Sequence, residues 1–486
     1  MVAVADPSNE ELAEALERFA SLHAAAGSNA YAVRAYRRVA DRIRSFPLPV
    51  APLVREGRAR EIAGVGPGIE PRLRELVESG ELLEATELRE RLAPELVKKA
   101  RRRSRAGRGL LLNRARALAD RLAQELEGVA AGDPRRGAEL TTRIAVVVRE
   151  RGALQRLAEL PDVIAVEERH GSHALAVTTE GVAIDVVAAE PGAFGTELVR
   201  ATGSEEWLGS LPPLTTAEAE EDVFSALGLP WVPPELRELG APPPPDDLLT
   251  IDDIRGDLHA HTTWSDGRAS VLELAGAARD RGYDYVAVCD HTRAVSVVPG
   301  LDADDVRRQA VEIAAANELL APFRVLRGIE CDILPDGSLD LPDDVLAGLE
   351  WVQISLHAGQ RRPRDELTKR VTTAMRHPAA RCLSHPKGRL LNHRPENELD
   401  LDKVFGVALE TGVALEVNGL PDRLDLSGAH VAEALAAGVP IVCSTDAHSV
   451  RGLANIELSV LTARRGGAPR GAVLNTRSLD ELLGQR

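Results

Sequence analysis

From Asp253 onward, short apolar runs alternate with helix-like segments: Tyr285–Cys289, Val325–Ile329, Val352–Leu356, Arg381–Leu383, Ala414–Val417 and Ile441–Cys443. Fully apolar strands of this kind are buried on both faces, so the alternation predicts an α/β barrel or an open parallel sheet. The runs end on side chains able to hold a metal: His259 and His261, Asp290-His291, Glu330, His357, His385, and Asp446 with His448. In an α/β barrel the C-terminal strand ends converge on one face, which is how ligands far apart in sequence meet. Because alternate strand residues share a face, His259/His261 and Asp446/His448 can each present two ligands to one cavity. Nine of the twelve histidines lie after residue 250. One histidine at a strand end is usually structural, but the whole set points to a metal site. Imidazole and carboxylate without thiolate suit zinc, manganese or iron. His377, His393 and His430 fall in helical or loop contexts and read as surface residues.

A chain of 486 residues is too long for one core. The net charge of −16 is an average over unlike parts, since residues 1–120 carry 22 Arg/Lys against 17 Asp/Glu. A basic N-terminal module joined to an acidic body is therefore expected. Helical spacing recurs over Ser8–Ala25, where Ser8 and Glu11 have capping-box spacing, and over Tyr31–Arg44, Pro71–Ser79 and Ala85–Lys99, before an arginine run at 101–108. Residues 1–97 thus read as an all-α domain. Residues 98–228 mix helix with the strand-like runs Arg143–Val148, Val163–Glu167, Ala174–Thr178 and Val182–Val187. The prolines of residues 229–252 predict a stiff spacer, which leaves residues 253–486 as the last domain. The cysteines Cys289, Cys331, Cys382 and Cys443 are too scattered for a disulfide framework and read as buried strand residues. No apolar run is long enough to span a membrane and Met1–Glu10 lacks a signal-peptide layout, so a cytoplasmic protein is expected.

The motifs His259-Ala260-His261-Thr262-Thr263-Trp264-Ser265-Asp266-Gly267, Cys289-Asp290-His291, Gly328-Ile329-Glu330, Ser355-Leu356-His357, Ser384-His385-Pro386 and Ser444-Thr445-Asp446-Ala447-His448 resemble the PHP (polymerase and histidinol phosphatase) domain over about 230 residues. The resemblance implies a distorted (β/α)7 barrel with three divalent metal ions. It assigns His259, His261, Glu330 and Asp446 to the first, Glu330, His357 and His385 to the second, and Asp266, His291 and His448 to the third. Divalent ions so placed acidify water and stabilise the oxygens of a phosphoester in displacement, so phosphate-ester hydrolysis is the implied reaction. Arg293, Lys387, Arg389 and Arg423 are the nearby cations for steadying phosphates, with Arg389 and Lys387, just after a ligand-bearing strand, as the catalytic candidates.

In the first domain, Ile62-Ala63-Gly64-Val65-Gly66-Pro67-Gly68-Ile69 resembles the hairpin of a helix-hairpin-helix motif, with Gly64, Gly66 and Gly68 letting backbone N–H groups reach a DNA phosphate. Asn29-Ala30-Tyr31-Ala32-Val33-Arg34-Ala35-Tyr36-Arg37-Arg38 resembles the N-terminal domain of bacterial family X DNA polymerases; Tyr31 and Tyr36 read as helix-packing residues. These polymerases end in a PHP domain, so the chain as a whole resembles them: an all-α helix-hairpin-helix domain, an α+β nucleotidyltransferase-like palm and a PHP barrel. The palm departs from the family. In Gly132-Asp133-Pro134-Arg135-Arg136-Gly137-Ala138-Glu139-Leu140-Thr141-Thr142-Arg143-Ile144-Ala145, Arg143 and Ala145 stand where the family has two magnesium-binding aspartates, while Asp185 keeps the third acid. A guanidinium stays charged and repels Mg²⁺, so polymerisation is expected to be lost, with Arg143 filling part of the vacated site. The stretch from Arg89 to Leu110 is too short for the family's second hairpin. Residues 1–97 contain no lysine for Schiff-base lyase chemistry.

The resulting expectation is a metal-dependent phosphoesterase acting on DNA ends, gaps or nicks, as a 3′–5′ exonuclease or 3′-phosphatase of repair, docked through the N-terminal half. The alternatives are a phosphatase of a small phosphomonoester such as histidinol phosphate, a non-catalytic DNA-binding adaptor, and an active polymerase.

Overall fold

A computed structural model describes residues 6–106, 109–295 and 297–484. The side chains of Lys99 and of the whole arginine run at 101–108 lie outside the described residues.

The first helix, Asn9–Ala25, begins where the sequence places it. The Ser8 hydroxyl accepts from the Glu11 N–H and the Glu11 carboxylate accepts from the Ser8 N–H, a reciprocal cap. Its apolar stripe, Leu12, Leu16 and Phe19, packs with Val39 and Ile43 of the helix Ala30–Arg44 and with Leu73 and Leu76 of Glu70–Ser79. Tyr36 packs edge-on to Phe19 at 5.1 Å, as expected. Tyr31 does not share that role: it is 67% exposed on the outer face of its helix. The helix expected over Ala85–Lys99 runs from Leu83 to Ala106, through Pro94. Leu88, Leu92 and Leu96 join the core that also takes in Ile164 and Val177 of the next domain, so this helix is the splice between the two.

The middle of the chain is a five-stranded sheet in the order Gly128–Gly132, Arg143–Val148, Ala183–Ala188, His173–Thr178 and Val163–His170. Only Arg143–Val148 and Ala183–Ala188 pair in parallel. The edge strand Gly128–Gly132 escapes sequence reading because its glycines and alanines leave Val129 as its one β-branched residue. Register sets Ala145 opposite Asp185, which puts Arg143, Ala145 and Asp185 on one face.

The proline-rich stretch is not a free spacer. Trp231 packs edge-on to Phe224 at 5.3 Å, Arg237 is fully buried against Glu220, and Glu235 receives Arg464 of the last domain at 2.8 Å. Leu249 is fully buried and its N–H donates to the Ala468 carbonyl at 2.9 Å. The prolines make the stretch extended, but the side chains between them fasten it as a strap along the barrel.

The last domain is a seven-stranded parallel sheet whose spatial order follows the chain: Gly256–Ala260, Tyr285–Val288, Arg324–Asp332, Trp351–Ser355, Cys382–Leu383, Ala414–Asn418 and Ile441–Ser444. Its first and last strands meet at the C-terminal end, where the His261 N–H donates to the Ala447 carbonyl at 2.8 Å, so the sheet is nearly closed. All four cysteines are buried and free within it. No helix among the described residues is long and apolar enough to cross a membrane.

Candidate metal centre

Glu330, at the C-terminal end of Arg324–Asp332, is 1% exposed and surrounded by histidines. Its Oε2 lies 2.8 Å from His291 Nδ1, 3.5 Å from His259 Nε2 and 3.7 Å from His261 Nε2; its Oε1 lies 2.9 Å from His385 Nε2 and 3.5 Å from His357 Nε2. Asp446 Oδ1 stands 3.0 Å from His261 Nε2 and 3.9 Å from His259 Nε2. Asp266 is 3.2 Å from His448 Nε2 and 3.7 Å from His291 Nε2. Three groups have ligand atoms within 4.8 Å of one another: His259, His261 and Asp446; His291, Glu330 and His357; and His261, Asp266, His291 and His448. The nearly closed sheet thus brings all nine expected side chains together. His261 and His291 stand between groups that the family resemblance keeps apart.

The donor chemistry fits divalent cations. His259 Nε2, His261 Nδ1, His291 Nδ1, His357 Nδ1, His385 Nδ1 and Glu330 Oε2 are buried without a hydrogen-bond partner. Buried polar atoms are rarely left so, and unpartnered imidazole and carboxylate atoms in one cluster are the donor set that suits divalent cations. Two members, His385 and Asp446, have left-handed backbones with φ of +26° and +52°, a strain that non-glycine residues tolerate chiefly where function requires it.

Charge around the pocket is strongly coupled. Burial and the charges of His448 and His291 drive His261 down to about 4, whereas burial of His448 is outweighed by Asp266 and Asp446, which lift it to about 9. Glu330 and Asp446 are held well below the carboxylate range against their burial, by surrounding imidazoles.

A supporting layer that sequence reading missed orients these groups. Glu416, wholly buried in Ala414–Asn418, accepts from His259 Nδ1 at 2.6 Å, from the His385 N–H at 2.6 Å and from the Ser444 hydroxyl at 2.5 Å. It fixes the His259 ring so that Nε2 faces the pocket. Ser355 donates to Glu330 at 2.5 Å, and buried Asp257 receives the Thr445 hydroxyl. A carboxylate inside an otherwise apolar strand run, as at Glu416, was the available sequence signal. Asp290, grouped with His291 from the sequence, turns elsewhere: it accepts from the Thr262 and Ser265 hydroxyls and from Gln309, and so holds the loop that carries Asp266.

The four expected cations separate. Arg293 points outward to Asp302 and Asp305. Lys387 is buried 3.9 Å from Glu396. Arg389 does not reach the pocket, because it is committed to Glu139 at 2.8 Å and to the carbonyls of Arg423 and Leu424. Arg423 is the cation at the centre, with Nε 3.6 Å from Asp446 Oδ2. His430 is half-buried rather than on the surface, 3.7 Å from Glu396.

In the five-stranded sheet, Arg143 pairs with Asp185, as expected from its position, and His173 Nε2 lies 3.1 Å from the other oxygen of that carboxylate. The acid left on this face is clamped between two basic side chains. In the N-terminal hairpin, Gly64 has φ +94° and a Cβ there would meet Arg42 Nη1 at 2.7 Å, whereas nothing lies within 4 Å of a Cβ at Gly66 or Gly68. Those two positions leave the hairpin backbone open to approach.

Comparison with known proteins agrees with this layout. Residues 7–82 match the model of the helix-hairpin-helix domain and residues 196–238 that of the DNA polymerase beta thumb. The chain is 40% identical over 273 residues to the DNA polymerase/3′-5′ exonuclease PolX of Bacillus subtilis, a match covering 55% of this chain and 48% of that protein. The match therefore spans about half the length of that relative. A probable phosphatase of Acetivibrio thermocellus is 30% identical over 203 residues, 40% of this chain and 78% of that protein; one from Thermoanaerobacter sp. is 26% identical over 232 residues, 45% and 89% respectively. With two family models in its first half, a PolX relative and phosphatase relatives across its C-terminal part, the chain is similar to the bacterial family X DNA polymerases and belongs with the probable phosphatases over its last part.

Proposed function

We propose that the protein is a metal-dependent phosphoesterase whose barrel hydrolyses phosphate esters at DNA ends, with the polymerase-like half as a docking platform. The observation that carries this reading is the crowding of five imidazoles within 3.7 Å of the buried Glu330 carboxylate. His259, His261, Glu330 and Asp446 would hold one cation, Glu330, His357 and His385 a second, and Asp266, His291 and His448 a third. Such cations supply charge stabilisation for phosphoryl oxygens and acidify water.

The chain's own residues do the rest. Glu416 and Ser355 keep His259 and Glu330 aimed at one point. Arg423 contributes a fixed positive charge next to Asp446, suited to a phosphoryl oxygen of the substrate. The nearly closed barrel buries Glu330 and His259, which lowers the local dielectric and strengthens each of these interactions. The hairpin at Gly64–Gly68 would hold the DNA backbone irrespective of sequence. The Arg143–Asp185 pair supports the view that nucleotide addition is lost, since the surviving carboxylate is already neutralised.

Incubating the Mn²⁺-loaded protein with 3′-end-labelled duplex and gapped DNA tests the reading; shortening or loss of a 3′-phosphate is expected, and intact ends would reject it. The several relatives named as probable phosphatases favour a second reading, hydrolysis of a small phosphomonoester. Turnover of small phosphomonoesters without DNA affinity would select it.

A further inference from the structure

The polymerase-like half is fastened to the barrel at the rim that carries the candidate metal residues. Leu111, Leu112 and Leu140 pack with Leu391, Leu424, Leu458 and Leu461, and Asn392 donates to the Gly109 carbonyl at 3.1 Å. At the middle of this contact sits Arg389, 7% exposed. Its guanidinium takes Glu139 of the other half at 2.8 Å, approaches Glu396 at 3.4 Å, and donates to the Arg423 carbonyl at 2.9 Å and to that of Leu424. A guanidinium this buried needs its carboxylates. Without Glu139 it keeps only the longer contact with Glu396.

What Arg389 holds on its other side is a strained loop. Leu424 has a left-handed backbone, φ +44°, which a leucine adopts only when its surroundings impose it. The neighbouring Arg423 brings Nε to 3.6 Å from Asp446, and its buried Nη1 has no hydrogen-bond partner. An uncommitted guanidinium nitrogen beside the pocket is suited to a phosphoryl oxygen.

Resting on the hydrolase reading above, we propose that Glu139 is a positioning residue for hydrolysis: acting through Arg389, it sets the loop that holds Arg423 at the pocket. The degenerate polymerase half is then a working part of the hydrolytic site as well as a DNA platform. Glu139 lies within the segment that resembles the palm motif, and this role gives it a use that outlasts nucleotide addition.

The test measures kcat and KM of the full, Mn²⁺-loaded chain on bis(p-nitrophenyl) phosphate and on p-nitrophenyl phosphate, with melting temperature and metal content recorded for every variant. Arg423→Ala is expected to lose about 100-fold in kcat/KM and Glu139→Gln about tenfold, mainly in kcat, at unchanged metal content. Glu139→Asp recovers part of that loss. The Glu139→Gln/Arg423→Ala double variant is no slower than Arg423→Ala alone, because both act through one group. Glu238→Gln removes a comparable tie between the two halves, the 2.7 Å pair with Arg465, and is expected to lower the melting temperature at wild-type turnover. Wild-type turnover in Glu139→Gln, or losses that multiply in the double variant, overturns the inference alone. Absence of any turnover in the wild type overturns the hydrolase reading, and the inference with it.

Discussion

The barrel rim and the Asp185 face of the five-stranded sheet each gather acids with basic side chains, yet only one is chemically open. At the rim, Glu330, Asp446 and Asp266 are matched by imidazoles, which are neutral or can become so and then serve as ligands when a cation arrives. On the sheet, Asp185 is matched by Arg143, whose guanidinium does not deprotonate. The difference teaches that the identity of the base decides whether a cluster of charges is a latent metal site or a closed salt bridge.

The most direct way to break this comparison is Glu330→Gln, which removes the carboxylate shared by five histidines. Phosphoester hydrolysis should fall by about 1,000-fold or more with loss of bound metal, measured by turnover and elemental analysis, while DNA affinity persists. If the rim works by proton exchange, affinity for Mn²⁺ should climb with pH. Asp266 and Asp446 keep His448 protonated below about 9, so the ion held by His448 must displace that proton, and its release is lost only above that pH. Calorimetry in buffers of different ionisation enthalpy reads the proton count directly. Glu416→Gln leaves every candidate ligand in place but loosens the His259 ring, and a 10- to 100-fold drop in metal affinity (about 10- to 100-fold is typical of such supporting partners) is expected by titration. The smallest effect belongs to the sheet. Arg143 is exposed over 59% of its side chain, so Arg143→Ala should shift unfolding by less than about 1 kcal/mol in chemical denaturation and leave hydrolysis unchanged.

Much of this was legible in the sequence because the relevant signals are local. Ser8 and Glu11 announced the first helix, and the strand Arg143–Val148 was read to the residue because its valines and isoleucine form one buried run. The nine candidate ligands stood out because histidines and acids are conspicuous at the ends of apolar strands. Glu416 was missed because it lies within its strand, and only the closed sheet puts it behind His259. Arg389 was misjudged for the complementary reason. Its place after a ligand-bearing strand suggested the pocket, but which way an arginine reaches is settled by where the nearest carboxylate lies, and Glu139 is 250 residues earlier in the chain. The strap was read as a spacer because proline content reveals extension but not what lies alongside it.

By itself the sequence determined the alternation of strands and helices, the inventory of candidate ligands and the placing of Arg143 and Ala145 in an apolar strand, since these depend on residue type and short-range spacing. Only the tertiary structure decided that His261 and His291 bridge the ligand groups, that Arg423 rather than Arg389 sits at the pocket, and that the two halves share a rim. Those outcomes depend on distances between residues remote in the chain, which barrel closure and interdomain packing set and no local pattern encodes.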